Sequence, residues 1–202
     1  MIAIIDYGVG NLFSLCSSFK SIGYDAVISD DADTILNADK IILPGVGAFE
    51  DAAKKLHSSG MDKVVKKAAS MGKPVMGICL GMQLLFDKSY EYGEHDGLHM
   101  IPGNVVPLKG YIKDGLMIPH IGWNALHFRK DDPLFKYIKD GDYVYFVHSY
   151  YAADCDEHTV ADTDYGGTVT AIVRKDNVVG CQFHPEKSGN VGLNILRAFC
   201  EK

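Results

Sequence analysis

The sequence lacks long hydrophobic runs and an excess of basic charge. No stretch of its 202 residues approaches the about 18 consecutive apolar residues of a membrane-spanning helix. The first apolar run, Ile2 to Ile5, is short and has no basic residue before it, unlike a secretory signal. The 20 Lys and Arg residues against 26 Asp and Glu give a formal net charge of -6, which offers no electrostatic footprint for nucleic acid or an anionic membrane. We therefore expect a cytoplasmic protein that binds neither.

Paired cysteines are also lacking. The sequence has five cysteines, an odd number, and no two of them are spaced as in a CxxC motif. The length of 202 residues excludes a disulfide-stapled miniprotein. The odd number and wide spacing of the cysteines give no zinc or dithiol motif, so we expect five free thiols and no metal site. They are Cys16, Cys79, Cys155, Cys181 and Cys200.

The motifs that bind cofactors are incomplete. Tyr7-Gly8-Val9-Gly10-Asn11 has half of a dinucleotide fingerprint, but Phe13 stands where the third glycine of G-x-G-x-x-G is needed. His95 and His99 have the spacing of two ligands on a helix, but the glycines around them argue for a surface loop. We expect no cofactor. The other histidines with no ligand spacing, expected to face solvent or to be hydrogen-bonded, are His120, His127 and His148.

Alternating strands and helices are what the first half of the sequence does contain. Ile2 to Ile5, Lys40 to Leu43 and Lys73 to Ile78 are continuous apolar runs, each followed by a glycine-containing turn and a helical pattern. Such runs predict an α/β fold with a mostly parallel sheet covered by helices on both faces. The functional loops of such a sheet lie at the carboxyl ends of its strands.

The second half of the sequence is β-rich. From about residue 100, short strand patterns follow one another with little helix between them, until a final helix from Val191 to Cys200 places Leu193, Leu196 and Cys200 on one face. No linker or repeat interrupts the chain, so we expect residues 1–202 to form a single domain. The predicted strands are 105–106, 125–128, 143–147, 168–173 and 178–183.

A cysteine stands between a predicted strand and a predicted helix. Gly77-Ile78-Cys79-Leu80-Gly81 has the spacing of a nucleophile elbow with Cys in place of Ser. The flanking glycines leave room for a sharp turn, and the amino end of the following helix favours a thiolate at Cys79. The alternative is a buried cysteine in a tight turn.

A candidate base and its orienting carboxylate lie at the end of a later strand. In extended chain His184 and Glu186 point to the same side, so the carboxylate can fix the tautomer of the imidazole. Pro185 keeps a helix from separating the two. With Cys79 they form a nucleophile, a base and an orienter. Cys181 is closer to His184 in sequence, but it lies inside an apolar strand, where we expect a small core side chain.

Oxyanion donors are offered by a second glycine-rich turn. Pro44-Gly45-Val46-Gly47 follows a buried strand, and its backbone N–H groups are accessible. The N–H of Leu80, just after the nucleophile, is the second candidate donor. The alternative for residues 44–47 is an ordinary βα turn.

These motifs together resemble the class I (triad) glutamine amidotransferases, whose fold is flavodoxin-like. Within that superfamily the sequence is similar to the glutaminase subunits of imidazole glycerol phosphate synthases, which act in histidine biosynthesis. The resemblance covers almost the whole chain. Its further motifs are Asp6 to Leu12, Leu43 to Phe49, Pro119 to Asn124 and Tyr145 to Tyr150.

The resemblance implies a role for each motif residue. Cys79 attacks the side-chain amide of glutamine, His184 passes the proton to departing ammonia, and Glu186 orients His184. Water then releases glutamate from a γ-glutamyl thioester. The oxyanion residues would be Gly45, Val46 and Leu80, and those that bind glutamine would be Gln83, Glu91, Ser149 and Tyr150.

The resemblance also implies a partner. In the family, a cyclase subunit that is a (β/α)8 barrel consumes the ammonia, and the two subunits form a heterodimer. A peptide flip within Pro44 to Gly47, driven by the liganded cyclase, would open the oxyanion hole. An exposed Trp123 would suit an interface anchor, whereas a tryptophan in the core is the alternative. The interface residues would be Trp123, Asn124, Tyr145 and Lys187.

Two other functions remain open for this sequence. The first is a glutaminase subunit of a different synthase, such as anthranilate or aminodeoxychorismate synthase, and the segment Pro119 to Asn124 argues against it. The second is a catalytically idle regulatory or scaffold subunit, and the intact set of Cys79, His184 and Glu186 argues against that.

Overall fold

The computed structural model describes residues 1–201, which contain fourteen β-strands and six α-helices. The strands are β1 (Ile2–Ile5), β2 (Ala26–Ser29), β3 (Lys40–Leu43), β4 (Val75–Ile78), β5 (Lys88–Ser89), β6 (His95–Asp96), β7 (Asn104–Pro107), β8 (His120–Ala125), β9 (His127–Phe128), β10 (Tyr143–His148), β11 (Tyr150–Ala153), β12 (Thr159–Asp164), β13 (Thr168–Lys175) and β14 (Val178–Cys181). The helices are α1 (Leu12–Ser21), α2 (Ala32–Asn37), α3 (Phe49–Ser58), α4 (Met61–Ser70), α5 (Leu80–Leu84) and α6 (Gly189–Glu201). Short 3-10 turns cover Pro133–Phe135 and Pro185–Lys187.

The largest sheet has eight strands in the order β2-β1-β3-β4-β14-β13-β12-β9. The first five strands are mutually parallel, and the remaining three are added antiparallel. The parallel part has the strand order of the flavodoxin-like fold, with β14 as its fifth strand. The predicted α/β fold with a mostly parallel central sheet is therefore confirmed.

Helices cover both faces of this sheet. Along β1, Ala3 and Ile5 join one hydrophobic cluster with the buried side chains of α3 and α4. Ile2 and Ile4 point to the other face and join a cluster with α1 and α6. Because both faces of the strand are covered, its sequence is continuously apolar rather than alternating.

The β-rich second half forms two smaller sheets beside the main one. One has the order β11-β7-β5-β6, and the other pairs β8 with β10. Residues 125–128, predicted as one strand, instead belong to two strands in different sheets. Buried Leu126 stands between them, and its backbone bonds to Gly141 and Asp142 replace strand pairing at the crossing.

The two helices next to the predicted motifs also differ from expectation. α5 begins at Leu80, directly after the candidate nucleophile, so Gly81 belongs to the helix rather than to the predicted glycine-containing turn. In α6 the buried stripe includes Ile195, Leu196 and Phe199, while Leu193 lies beside it and is only half-buried. Within residues 1–201 we find no helix with the length and apolar character needed to cross a bilayer.

Candidate active site

Cys79 occupies a sharp turn between β4 and α5. Its backbone is in the left-handed region, with φ 55° and ψ -111°, an unusual conformation for a residue other than glycine. The flanking glycines are sterically required: a Cβ on Gly77 would lie 2.6 Å from the Gly81 carbonyl oxygen, and a Cβ on Gly81 would lie 1.9 Å from that of Leu43. The structure thus contains the strained strand-to-helix turn that the spacing predicts.

The Cys79 sulfur lies in the wall of a cavity rather than in the core. The cavity has a volume of about 390 Å³, and Cys79 and His184 both line it. The Cys79 N–H donates to the Cys181 carbonyl over 2.8 Å, which fixes the turn to β14. The thiol donates to the Val147 carbonyl oxygen at 3.9 Å, and the side-chain nitrogen of Gln182 donates to the sulfur at 3.7 Å.

His184 and Glu186 form a buried pair beside the nucleophile. His184 Nδ1 lies 2.8 Å from Glu186 Oε1, so the carboxylate holds a proton on Nδ1. The Cys79 side chain also favours the charged form of His184. Burial opposes the charged imidazolium, but the bonds and charges of Cys79 and Glu186 outweigh it and raise the pKa of His184 to about 9.

Backbone contacts hold this base in place. The His184 N–H donates to the Tyr145 carbonyl over 3.0 Å, and the Ser188 hydroxyl donates to the His184 carbonyl over 2.7 Å. The second carboxylate oxygen of Glu186 is buried and has no hydrogen-bond partner among the described residues. His184 is therefore held both by the hydrogen bond of its ring to Glu186 and by the hydrogen bonds of its backbone.

Cys181 is a core side chain, as expected. It lies in β14 and is fully buried, and burial raises the pKa of its thiol. All five cysteines are free thiols. Of the two cysteines near His184, the one that lines the cavity is Cys79.

The glycine-rich turn after β3 lies against the elbow. A Cβ on Gly45 would lie 2.6 Å from the Gly81 backbone nitrogen and 2.9 Å from the Leu80 Cβ, so only glycine allows this approach. The buried Tyr7 hydroxyl donates to the Pro44 carbonyl over 2.7 Å. Tyr7, in the segment that resembled half of a dinucleotide motif, therefore supports this turn.

All four residues expected to bind glutamine line the same cavity. Gln83 Nε2 donates to the Tyr150 carbonyl and to Gln182 Oε1, each over 3.0 Å. Glu91 Oε2 accepts from the Phe49 N–H over 2.7 Å. The predicted site residues that line the cavity are Val46, Cys79, Leu80, Gln83, Glu91, Ser149, Tyr150, His184 and Lys187.

Several residues at the site were not predicted from the sequence. Gln182 is fully buried and joins Gln83 to the Cys79 sulfur. Its signal in the sequence is a lone amide in an apolar strand, two residues before the candidate base. The other lining residues without a predicted role are Gly47, Pro119, Val147 and His148.

The three histidines without ligand spacing lie as the sequence predicts, either hydrogen-bonded or exposed to solvent. His120 and His148 are buried and hydrogen-bonded to each other, with 3.0 Å between ring nitrogens. His127 is exposed. Within residues 1–201, no three His, Cys, Asp or Glu side chains lie together as metal ligands would. His95 lies in the two-residue strand β6 rather than in a loop.

The predicted partner face borders the cavity. Trp123 is 51% exposed, which excludes the core alternative, and its ring packs edge-on against Tyr145 at 6.0 Å between centroids. Asn124 is half-buried beside them. Lys187 is exposed and also lines the cavity, so it connects the face with the candidate nucleophile's pocket.

A cysteine elbow, an oriented histidine and a glycine-rich neighbouring turn on a flavodoxin-like sheet define a class of cysteine-dependent amidohydrolases. The chain belongs to the class I glutamine amidotransferase family, since the family model described as "Glutamine amidotransferase class-I" matches residues 3–202.

Curated relatives extend over the whole chain. It is 54% identical to the imidazole glycerol phosphate synthase subunit HisH of Caldanaerobacter subterraneus subsp. tengcongensis, covering 100% of this chain and 98% of the relative. It is 48% identical to the subunit of the same name from Lactococcus lactis subsp. lactis, with the same coverage.

Solved structures share the fold at low sequence identity. A glutamine amidotransferase crystal structure matches with a TM-score of 0.76 at 18% identity, covering 100% of this chain and 98% of that one. The PurLQS structure from Thermotoga maritima matches with a TM-score of 0.73 at 20% identity, covering 99% and 97%.

Proposed function

We propose that this chain is the glutaminase subunit of an imidazole glycerol phosphate synthase in histidine biosynthesis. Residues 1–202 act as one cytoplasmic glutaminase domain that hydrolyses glutamine and supplies ammonia to a cyclase. The observation that carries the proposal is the set of Cys79, His184 and Glu186 at one cavity, in a chain about half identical to subunits of that name.

The proposed reaction has two covalent steps. In the first, Cys79 Sγ bonds to the δ-carbon of glutamine and the carbon–nitrogen bond breaks. His184 takes the thiol proton and gives it to the leaving nitrogen, which departs as ammonia. In the second, His184 takes a proton from water, whose oxygen bonds to the thioester carbon. The carbon–sulfur bond breaks, glutamate leaves, and the proton returns to Cys79.

Backbone N–H groups of Val46 and Leu80 stabilise the oxyanion in both steps, and Gly45 allows the approach that brings them together. Losing one such donor typically costs about 3 to 4 kcal/mol of transition-state stabilisation. A peptide flip within residues 44–47, favoured when the cyclase holds its ligand, brings the Val46 N–H into position.

Gln83 and Glu91 bind the amino-acid end of glutamine, together with backbone of Ser149 and Tyr150. Both amide hydrogens of Gln83 are already donated, so the free polar atom of its side chain is the acceptor Oε1. An acceptor there and the Glu91 carboxylate fit the substrate's ammonium group. The reaction uses no metal and no cofactor.

The partner is a cyclase subunit, a (β/α)8 barrel, that binds Trp123, Asn124, Tyr145 and Lys187 as a heterodimer. Ammonia passes from the cavity to the cyclase between the two subunits. This route is supported by Lys187, which lines the cavity and also belongs to the proposed partner face. The barrel closes a phosphoribulosyl precursor with that ammonia into imidazole glycerol phosphate and an aminoimidazole carboxamide ribotide. Nucleic acid and membranes are not partners.

Reconstitution with purified synthases tests this assignment. We expect glutamine-dependent synthesis with the cyclase, and no transfer of ammonia to anthranilate or aminodeoxychorismate synthase subunits. Glutamate release by the isolated chain should be slower than release by the complex with its phosphoribulosyl ligand. Equal rates would refute gating by the peptide flip, and ammonia transfer to another synthase alone would refute the choice of partner.

A further inference from the structure

A buried pair of histidines lies between the glutamine cavity and the Trp123–Asn124 face. His148 lines the cavity, and its Nδ1 is 2.9 Å from the Tyr150 carbonyl oxygen. Its Nε2 is 3.0 Å from Nδ1 of His120. On the far side, His120 Nε2 lies 2.8 Å from the side-chain amide of Asn124. Three consecutive hydrogen bonds therefore join the face to the backbone of the glutamine site.

The surroundings of this pair disfavour a positive charge. His120 is fully buried between the rings of Phe146 and Tyr165, at 4.8 Å and 3.8 Å between centroids. A positive charge on His148 is repelled by His184 and by His120. Burial lowers the pKa of both His120 and His148. Near pH 7 the two rings are therefore neutral and carry two protons between them.

Counting these protons fixes the direction of every bond. The Tyr150 carbonyl can only accept, so His148 carries its proton on Nδ1 and its Nε2 is an acceptor. His120 must then carry its proton on Nδ1. This leaves a lone pair on His120 Nε2, which requires a donor from Asn124.

The Asn124 carboxamide supplies that donor when its NH2 group faces His120. In the opposite orientation, Asn124 Oδ1 faces His120 and Nδ2 donates to the Asp164 carbonyl over 2.9 Å. The neutral pair would then bury two acceptors, His120 Nε2 and Asn124 Oδ1, against each other. This contact costs the full desolvation free energy of an unpaired polar group. With the NH2 group turned inward, Asn124 Oδ1 takes the position 2.9 Å from the Asp164 carbonyl oxygen. The two acceptors that face each other then lie at the half-buried face, where one donor from outside can bond to both.

We propose that Asn124, His120 and His148 form one relay of aligned hydrogen bonds, in which the two histidines are positioning residues for the Tyr150 carbonyl. A cationic donor on the docked partner, an ammonium or guanidinium, bonds to Asn124 Oδ1 and to the Asp164 carbonyl oxygen beside it and completes the relay. Because the Tyr150 carbonyl also accepts from Gln83, the completed relay steadies glutamine binding. The identity of the partner rests on the proposed function, but the direction of the bonds does not.

Imidazole ¹⁵N NMR of the full chain at pH 7 tests the direction. We expect both rings as Nδ1–H tautomers. A His120 ring protonated on Nε2, or a doubly protonated ring, would overturn the proposal. In Asn124→Asp the carboxylate can only accept, so we expect the pair to bind one additional proton. Unchanged tautomers in that variant would also overturn it, because a structural role alone predicts no such change.

Glutamine kinetics of the complex with the cyclase test the positioning role. His120→Phe keeps the ring stack and removes both nitrogens, so we expect the KM for glutamine to rise about tenfold while kcat changes less than twofold. Tyr165→Phe is the control, because it keeps the stack and removes a hydroxyl bonded elsewhere, to the Met117 carbonyl. An unchanged KM in folded His120→Phe would contradict the role.

The failure of the two proposals can be distinguished. If the wild-type complex made no product from glutamine, the proposed function would be wrong, yet the tautomers would still report the direction of the relay. If His120→Phe did not fold, the Asn124→Asp variant would decide the result through its ring protonation.

Discussion

His184 is the residue on which the pH dependence of the chemistry rests. The bonds and charges of Cys79 and Glu186 raise its pKa to about 9 against the effect of burial. Because His184 must hold a proton to release ammonia, we expect kcat/KM for glutamine to fall as the pH rises through about 9. The raised pKa of His184 also stabilises the folded state. This stabilisation is complete below the unfolded pKa near 6.5 and is lost as the pH rises from there through about 9.

Glu186→Gln tests the cause of that pKa. The amide keeps the shape of the side chain but removes its negative charge, so the pKa of His184 should fall. We expect the alkaline limb of the kcat/KM profile to move to lower pH, with kcat reduced. Glu157→Gln, the same change at an exposed carboxylate that does not line the cavity, is the control. An alkaline limb that stays in place in Glu186→Gln would contradict the assigned cause.

Gln182 is the positioning residue that the sequence did not reveal. Its Nε2 donates to the Cys79 sulfur over 3.7 Å, and its Oε1 accepts from Gln83. Gln182→Leu removes both bonds, and we expect alkylation of Cys79 by iodoacetamide at pH 7 to slow by about tenfold or more, since a hydrogen bond to a charged group contributes about 1.5 to 3 kcal/mol.

Two variants make that measurement specific. Cys181→Ala alters the adjacent core residue without touching the sulfur of Cys79, so its alkylation rate should match the wild type. Gln182→Glu keeps an acceptor for Gln83 but places a carboxylate beside the sulfur, and it should slow alkylation further. An alkylation rate in Gln182→Leu equal to that of the wild type would show that the amide does not act on the nucleophile.

Spacing in the sequence was enough to predict the closeness of His184 and Glu186 and the strained turn at Cys79. Both follow from the local backbone: an extended chain brings residues 184 and 186 to one side, and paired glycines permit the turn. The contacts of Gln182 and His148 could not be predicted in this way. They depend on which side chains neighbouring strands bring together, and no local pattern encodes that pairing.

The elbow is the element whose geometry has the strictest steric requirement. A Cβ on Gly81, in α5, would lie 1.9 Å from the carbonyl oxygen of Leu43, in β3. An alanine there would therefore force β3 and α5 apart. We expect Gly81→Ala to lower the free energy of unfolding by about 3 kcal/mol or more, as measured by urea denaturation.

Gly110→Ala is the matched control for that substitution. Gly110 has a positive φ of 88° but open space around it, so its replacement should cost only about 1 kcal/mol of backbone strain. If both variants lost the same free energy of unfolding, the close approach of Leu43 would not be the reason that position 81 requires glycine.

Among the elements, the strands with a continuous apolar sequence were predicted well. The strands whose bounds depend on their partner strands were not. β1, β3 and β4 are apolar throughout because both faces are buried, and this pattern is visible in the sequence. The division of residues 125–128 between β8 and β9 is not visible, because it depends on β10 and β12 pairing with different parts of the segment.

At the scale of the whole molecule, the alternation of strands and helices predicted the central sheet, but not the two smaller sheets beside it. Those sheets matter for the site: β10 ends at His148 and β11 begins at Tyr150, so the backbone that borders the cavity lies at their junction. The same sheet of β8 and β10 carries Trp123 and Tyr145. The cavity and the proposed partner face are therefore parts of one structural unit.

The most direct test of the central claim is the behaviour of Cys79→Ala in the assembled complex with the cyclase. Removing the sulfur removes the nucleophile, while the cyclase can still use ammonia from solution. We expect glutamine-dependent synthesis of imidazole glycerol phosphate to disappear and ammonia-dependent synthesis to match that of the wild-type complex. Glutamine-dependent synthesis that survived in Cys79→Ala would contradict the thioester mechanism.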